Sequence, residues 1–264
     1  MLKKIIVLAV IMVCGINVLA DYVSDRKTAM NLIRGGTNEE ALALFKEMAA
    51  GKVSDFQKSD ALEQAAMCAN RLKRYDQAMD LARKIPLAPM SKTCQMQIMN
   101  SNRKWKELVE QFKGEDIGSW PDGIQGNAFF VRGGAVYRVG DGKMAESDLK
   151  KACEYLYDDN SKGLVLNALG DTYWNFFTND VLAIESYRRV YTPRNIYKRA
   201  QAAIAIAGIF NSQQKYDEAL RELNSIDISK MGSGYWCYAM LCALGNVFAK
   251  QGKKQEASPN ITKH

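Results

Sequence analysis

The sequence predicts an all-α fold in which antiparallel helix pairs stack one on the next into a solenoid. Three observations carry this reading. A short phrase, Lys215-Tyr216-Asp217-Glu218-Ala219-Leu220, returns loosened as Arg74-Tyr75-Asp76-Gln77-Ala78-Met79, as Lys104-Trp105-Lys106-Glu107-Leu108-Val109 and as Lys253-Lys254-Gln255-Glu256-Ala257, with Asn38-Glu39-Glu40-Ala41-Leu42 as an early copy. A phrase that recurs every few dozen residues marks one small unit stacked many times. Apolar residues in most segments recur at three and four rather than two, the helical period. Only five prolines interrupt 264 residues, so few positions are barred from a helix interior.

The first twenty residues stand apart. Met1-Leu2-Lys3-Lys4 is a cationic start, Ile5 to Leu19 is an apolar run broken by Asn17, and Val18-Leu19-Ala20 places small or modest residues before Asp21, where a signal peptidase cuts. Residues 1–20 are read as a secretory signal cleaved after Ala20. The alternative is a retained anchor, for which about fifteen residues are short against the ~20 that a bilayer requires. A lipid-attachment reading through Ile11-Met12-Val13-Cys14 is disfavoured, because Val13 stands where Gly, Ala or Ser is normal. The mature chain is then extracytoplasmic, periplasmic or secreted, with no integral membrane span.

The units follow in order. Residues 21–113 hold three, around Ala29 to Met48, Ala66 to Ile85 and Met96 to Phe112. Residues 114–127, with Gly114, Gly118, Pro121, Gly123 and Gly126, read as an irregular connection. Residues 128–257 hold four more, and Pro259 stops the last one's second helix almost as it begins. Tyr235 to Gln251 therefore serves as the cap, and 258–264 is a tail. In the sixth unit Ala203, Ile206, Ala207 and Phe210 share one helix face, Asn211 to Lys215 make a polar turn, and Ala219, Leu223 and Ile226 face inward from a second helix. Ala207 and Ala219 are twelve residues apart; Ala66 and Ala78, and Gly245 and Ala257, repeat the step, and Gly170 to Ala183 nearly does. Two antiparallel helices approach closely only where side chains are minimal.

These positions resemble the tetratricopeptide repeat, whose units of about 34 residues carry Leu-Gly and Tyr in a first helix and Ala, a large residue and Ala in a second. Leu169-Gly170 with Tyr173, Ala183 and Tyr187 match with one inserted residue. Leu244-Gly245 with Phe248 and Ala257 match in spacing, as do Ala207, Phe210, Ala219 and Leu223. Gly133-Gly134, Tyr137, Ala145, Leu149 and Ala152 form a further copy. The steps of 37 from Gly170 to Ala207 and 38 from Ala207 to Gly245 exceed the family norm. The resemblance implies a right-handed superhelix whose first helices line a concave groove for a protein or peptide. It carries the groove onto Glu63, Met67, Asn70, Arg71, Gln97, Asn100, Arg138, Asn167, Asp171, Trp174, Asn175, Asn211, Asn246 and Lys250.

Asn70, Asn100 and Asn211 share one repeat position. Asparagines along a groove can hold an extended peptide by its backbone amides; the competing reading is that Asn near a helix end is a capping choice. Trp174 is expected to be exposed beside the core Tyr173, as a binding hot spot or a sugar-stacking platform, with packing between units as the alternative. Glu63 and Met67 occupy places where some relatives clamp a carboxylate with Lys and Asn, and would not hold an anion.

Composition excludes other classes. A chain 47% hydrophobic and 25% charged is neither disordered nor collagen-like. Without Lys3 and Lys4, 34 basic residues face 29 acidic ones, scattered in short groups; with export, this argues against a nucleic-acid partner and is compatible with an anionic envelope surface. Five cysteines remain after the signal, an odd and irregular set that describes neither a disulfide framework nor a metal site. The single histidine is His264, so His-based catalysis and His-metal clusters are absent. No cofactor or catalytic residue is expected. The reading is a noncatalytic scaffold; the alternative is an envelope glycan-binding or accessory protein using Trp174.

Overall fold

The computed structural model describes residues 21–156, 158–190 and 195–253. The signal segment 1–20, Ala257 and the tail 258–264 lie outside the described residues. Among those described, regular structure is helical throughout, in alternating A and B helices of successive pairs. The A helices are α1 (21–34), α3 (Asp55–Arg71), α5 (Ala88–Ser101), α7 (Asp122–Val139), α9 (Asp159–Phe177), α11 (Ile196–Ser212) and α13 (Tyr235–Lys250). The B helices are α2 (Asn38–Ala50), α4 (Tyr75–Arg83), α6 (Trp105–Phe112), α8 (Gly142–Tyr155), α10 (Asp180–Arg189) and α12 (Tyr216–Asn224). The chain divides into two compact units between Ile124 and Gln125.

Local chemistry sets the helix ends. Ser54 caps α3 in a reciprocal box with Gln57, and Asp141, Asp158, Asn179 and Asn195 cap α8, α9, α10 and α11 through side-chain oxygens, satisfying amides that a helix start leaves unpaired. Pro89 enters α5 in its first turn, where no amide hydrogen is needed. Every described A-to-B turn passes through one left-handed residue, Gly36, Lys73, Arg103, Gly140, Thr178 or Gln214, and Gly252 after α13 is left-handed too, with φ between 45° and 97°. At Lys73 this reversal lets the amides of Lys73 and Arg74 donate to the carbonyls of Asn70 and Ala69, both at 2.9 Å, the paired bonds of a Schellman end.

Small residues sit where the helices of a pair cross. Ala66 and Ala78, Ala207 and Ala219, and Gly170 and Ala183 are buried. A methyl on Gly170 would lie 2.5 Å from the Tyr187 ring, and one on Gly133 would lie 3.0 Å from Cβ of Asp148. Pairs are also tied to their neighbours by side-chain bonds reaching roughly one repeat. In the first unit Arg74 pairs with Glu39 at 2.8 Å and Asn102 donates to Asn70 at 2.7 Å. In the second, Gln213 donates to Asp180 at 2.6 Å and Gln251 to Asp217 at 3.0 Å, while Arg188 pairs with Glu222.

Two boundaries differ from the sequence expectation. α7 begins at Asp122, so the connection is 113–121, containing a short 3-10 turn at Ile117–Ser119. Gly123 and Gly126 therefore lie inside a helix. At Gly126 glycine serves packing, because a methyl would stand 2.8 Å from Leu156. Asn211 and Ser212 close α11 and leave only 213–215 as the turn.

Candidate binding face of the A helices

In the second unit α7, α9 and α11 bring several expected residues together. Asp171 sits on α9 beside the crossing glycine, so the Tyr187 phenol on α10 passes over Gly170 and donates to Asp171 Oδ1 at 2.5 Å. The amide of Asn175, one turn on, donates to the Tyr137 hydroxyl of α7 at 2.7 Å. The Tyr137 ring meets Phe176 edge-on at 5.3 Å between centroids. Arg138, exposed on α7, donates to the Gly134 carbonyl at 2.9 Å and lies near enough to act on Asp171. Burial pushes the Asp171 carboxyl above its ordinary value, against the opposing pull of the Tyr187 bond and Arg138. Burial and the adjacent Asp171 raise Tyr187.

Trp174 differs from the expectation of exposure. It is half-buried, and the far edge of its indole rests over Gly208 of α11, 3.5 Å from where a methyl would stand. Part of the ring is thus committed to packing between A helices, the role given above as the alternative to an open platform. Asn167, one turn before Asp171, is 2% exposed, with both amide atoms lacking a partner. Asn211, one turn after Gly208, is 9% exposed with its Oδ1 unpartnered. Asn175 is exposed, as are Asn246 and Lys250 on α13.

The first unit has its own constellation on α1, α3 and α5. Arg26 of α1 grips Asp60 of α3 at 2.6 and 3.0 Å, and the Tyr22 hydroxyl adds a bond to Asp60 at 2.7 Å. Burial alone would raise the Asp60 carboxyl, but the Arg26 and Tyr22 bonds together hold it below its ordinary value. Glu63, one turn on, is half-buried and forms no hydrogen bond or ion pair among the described residues. Burial first, then the charge of Asp60, raises its carboxyl, and Arg26 pulls the other way. On α5 the buried thiol of Cys94 is pushed up mainly by desolvation and further by the charge of Glu63.

The shared asparagine position resolves into three different roles. Asn70 accepts from Asn102, Asn100 accepts from the Trp105 indole at 3.2 Å, and Asn211 keeps a free oxygen. Asn70 and Asn100 each give their amide oxygen to a bond within the stack. Met67 and Gln97 are half-buried and Arg71 is exposed at the end of α3. Sequence reasoning missed the Tyr22–Arg26–Asp60 cluster and a buried ion pair, Arg132 with Asp148, at 2.7 and 2.9 Å between α7 and α8. The one available signal was that Asp148 precedes the inward Leu149 and so falls near the pair's core. Among the described residues no group of three or more His, Cys, Asp or Glu is placed to hold a metal ion. None of their helices is long and apolar enough to cross a membrane.

Antiparallel pairs, minimal side chains at each crossing and a left-handed residue in each A-to-B turn define the fold of a tetratricopeptide-repeat array. The chain is similar to a Rap protein solved with competence and sporulation factor, with a TM-score of 0.52 and 16% identity over 77% of this chain and 63% of that one. It therefore spans less than two thirds of the Rap protein. It is also similar to a MamA RS-1 double mutant, with a TM-score of 0.47 and 18% identity over 65% and 93% of the two chains. A third likeness is to the C-terminal part of a TPR repeat-containing protein from Cytophaga hutchinsonii, with a TM-score of 0.43 and 14% identity over 89% and 99%. No protein-family model matches the chain, and no curated protein matches it significantly.

Proposed function

We propose that the protein is a noncatalytic scaffold that holds a peptide or protein segment against its A helices, outside the cytoplasm after export directed by residues 1–20. One observation carries the binding reading: Tyr137, Arg138, Asp171, Trp174 and Asn175 stand on adjacent A helices of the second unit, joined by the Asn175–Tyr137 bond and by the action of Arg138 on Asp171. Rigid helices present these groups already in place, so little ordering entropy opposes binding. Amides and a half-buried aromatic suit an extended chain, whose backbone offers donors and acceptors in alternation. The Rap protein with the similar fold was solved in complex with a factor, which accords with the reading. Its test is a displayed peptide library panned on residues 21–264, with enriched peptides retested on Asp171→Lys/Trp174→Ala and on a B-helix control, Glu185→Lys. Binding should vanish in the first variant and persist in the second; peptides that bind all three equally would remove the A-helix face from the reading. Export is tested by fusing residues 1–25 to a reporter enzyme active only outside the cytoplasm, where an inactive, unprocessed fusion would sink it.

A further inference from the structure

We infer that Asp171 is the subsite for a cationic group, ammonium or guanidinium, on the segment bound to the second unit, an inference that rests on the A-helix face being a peptide site. The carboxylate is fixed and incompletely used. Its Oδ1 takes the Tyr187 hydrogen at 2.5 Å, and the group makes no ion pair among the described residues. Burial makes this carboxylate costly even with Arg138 acting on it from outside ion-pair contact, and a cation seated against it is the ligand that offsets the remaining cost.

The surroundings fit the same ligand from every side. On α9, Asn167 stands one turn before Asp171 on the same helix face, 2% exposed with its Oδ1 and Nδ2 both unpartnered. It occupies the place, three residues before the crossing residue, that Glu63 holds before Ala66 in the first unit, so that unit puts a second unpaired carboxylate at the equivalent position. From α7 come the Tyr137 ring and a hydroxyl that already accepts from Asn175. From α10 comes the Tyr187 phenol, and from α11 Gly208, on which Trp174 rests. Among the described residues the charge of Arg138 acts on Asp171; Arg138 is exposed and donates to a backbone carbonyl on its own helix, among its other contacts. An ammonium would thus meet a carboxylate oxygen beside tyrosine and tryptophan rings, which attract cations, with the buried Asn167 amide one turn behind it. A neutral amide would meet the same groups without relieving the charge.

The test uses residues 21–264 and three probes followed by calorimetry and tryptophan fluorescence: acetyl-(Ala-Lys)4-amide, acetyl-(Ala-Gln)4-amide and unacetylated (Ala-Gln)4-amide. The lysine peptide, the free N-terminus or both should bind about tenfold or more tighter than the blocked neutral peptide, which also tells a side-chain cation from a terminal one. Asp171→Asn should erase that ratio while retaining its fold by circular dichroism, and the surface control Glu154→Gln should keep it. Equal binding of all three probes, or a ratio unchanged in Asp171→Asn, overturns the cation subsite and leaves the peptide reading standing. No binding of any probe overturns the subsite, and a failed library panning besides would remove the peptide reading as well.

Discussion

Single residues in this chain divide into those that complete the stack and those that weaken it. Glu63 and Asp171 weaken it, because each carboxyl is raised by burial. A carboxyl whose pKa is higher folded than unfolded binds its proton more readily in the native state, so its contribution is fully present below the unfolded value, about 4, and is lost as pH rises through the folded one. Asp60 runs the opposite way, contributing above its unfolded value and losing that contribution as pH falls through its lowered one. Urea titrations between pH 3.5 and 7 should therefore show Asp171→Asn and Glu63→Gln more stable than the parent near neutrality, with the advantage shrinking toward pH 4. An advantage that does not change with pH would assign the gain to packing. Asp148 completes the stack: its side chain is 4% and that of Arg132 7% exposed. Asp148→Ala leaves a buried guanidinium without its carboxylate and should cost about 3–5 kcal/mol, whereas the paired apolar replacement Asp148→Leu/Arg132→Met should cost far less. Chemical denaturation of the single and double variants decides between them.

At the scale of the element, the helix pair and the place of its turn were legible in the sequence, and the turn's left-handed residue was not. Ala66 and Ala78, or Ala207 and Ala219, stand out because close approach admits only small side chains and the step between them is constant. The left-handed turn residue is hidden because Lys73, Arg103 and Gln214 occupy a conformation that composition assigns to glycine. Gly126 misled in the opposite sense, reading as a loop when Leu156 requires the missing methyl. The candidate site shows the same limit. Amides and an aromatic on A helices were legible as residue types, but whether an amide is free or spent depends on neighbours across a turn or a full repeat away, as Asn100 on its following Trp105 and Asn70 on Asn102 show. Arg26 with Asp60, a repeat away, and Arg132 with Asp148, across one helix pair, left no periodic trace because each partner is fixed by packing. The turns give a direct test. L-residues held at positive φ are strained by roughly 1–2 kcal/mol, partly offset by the entropy that glycine loses on folding. Lys73→Gly, Arg103→Gly and Gln214→Gly should each raise stability by a few tenths to about 1 kcal/mol, and Gly140→Ala should lower it by about 1–2 kcal/mol. A loss in the three glycine variants, measured by thermal unfolding, would mean that their side chains matter more than their backbone.

For the molecule as a whole, stacking pairs means that stability is passed between neighbours and is not shared through a single core. Each pair buries its crossing residues against its own partner helix, and the side-chain bonds beyond the pair reach residues about one repeat away. With the chain divided into two compact units between Ile124 and Gln125, damage inside one should stay there. Gly170→Ala places a methyl 2.5 Å from the Tyr187 ring, so α9 and α10 must separate, at a cost of about 1–3 kcal/mol by the usual overpacking penalty. The same displacement breaks the bond that fixes Asp171, so binding to the second unit should fall together with local stability. Hydrogen exchange read along the chain should show protection lost across α9, α10 and the adjoining α8 and α11, while α2 to α5 keep their parental rates. Uniform loss across both units would show one cooperative body, and equilibrium unfolding of the variant would then be a single two-state transition in place of the two steps that independent units produce.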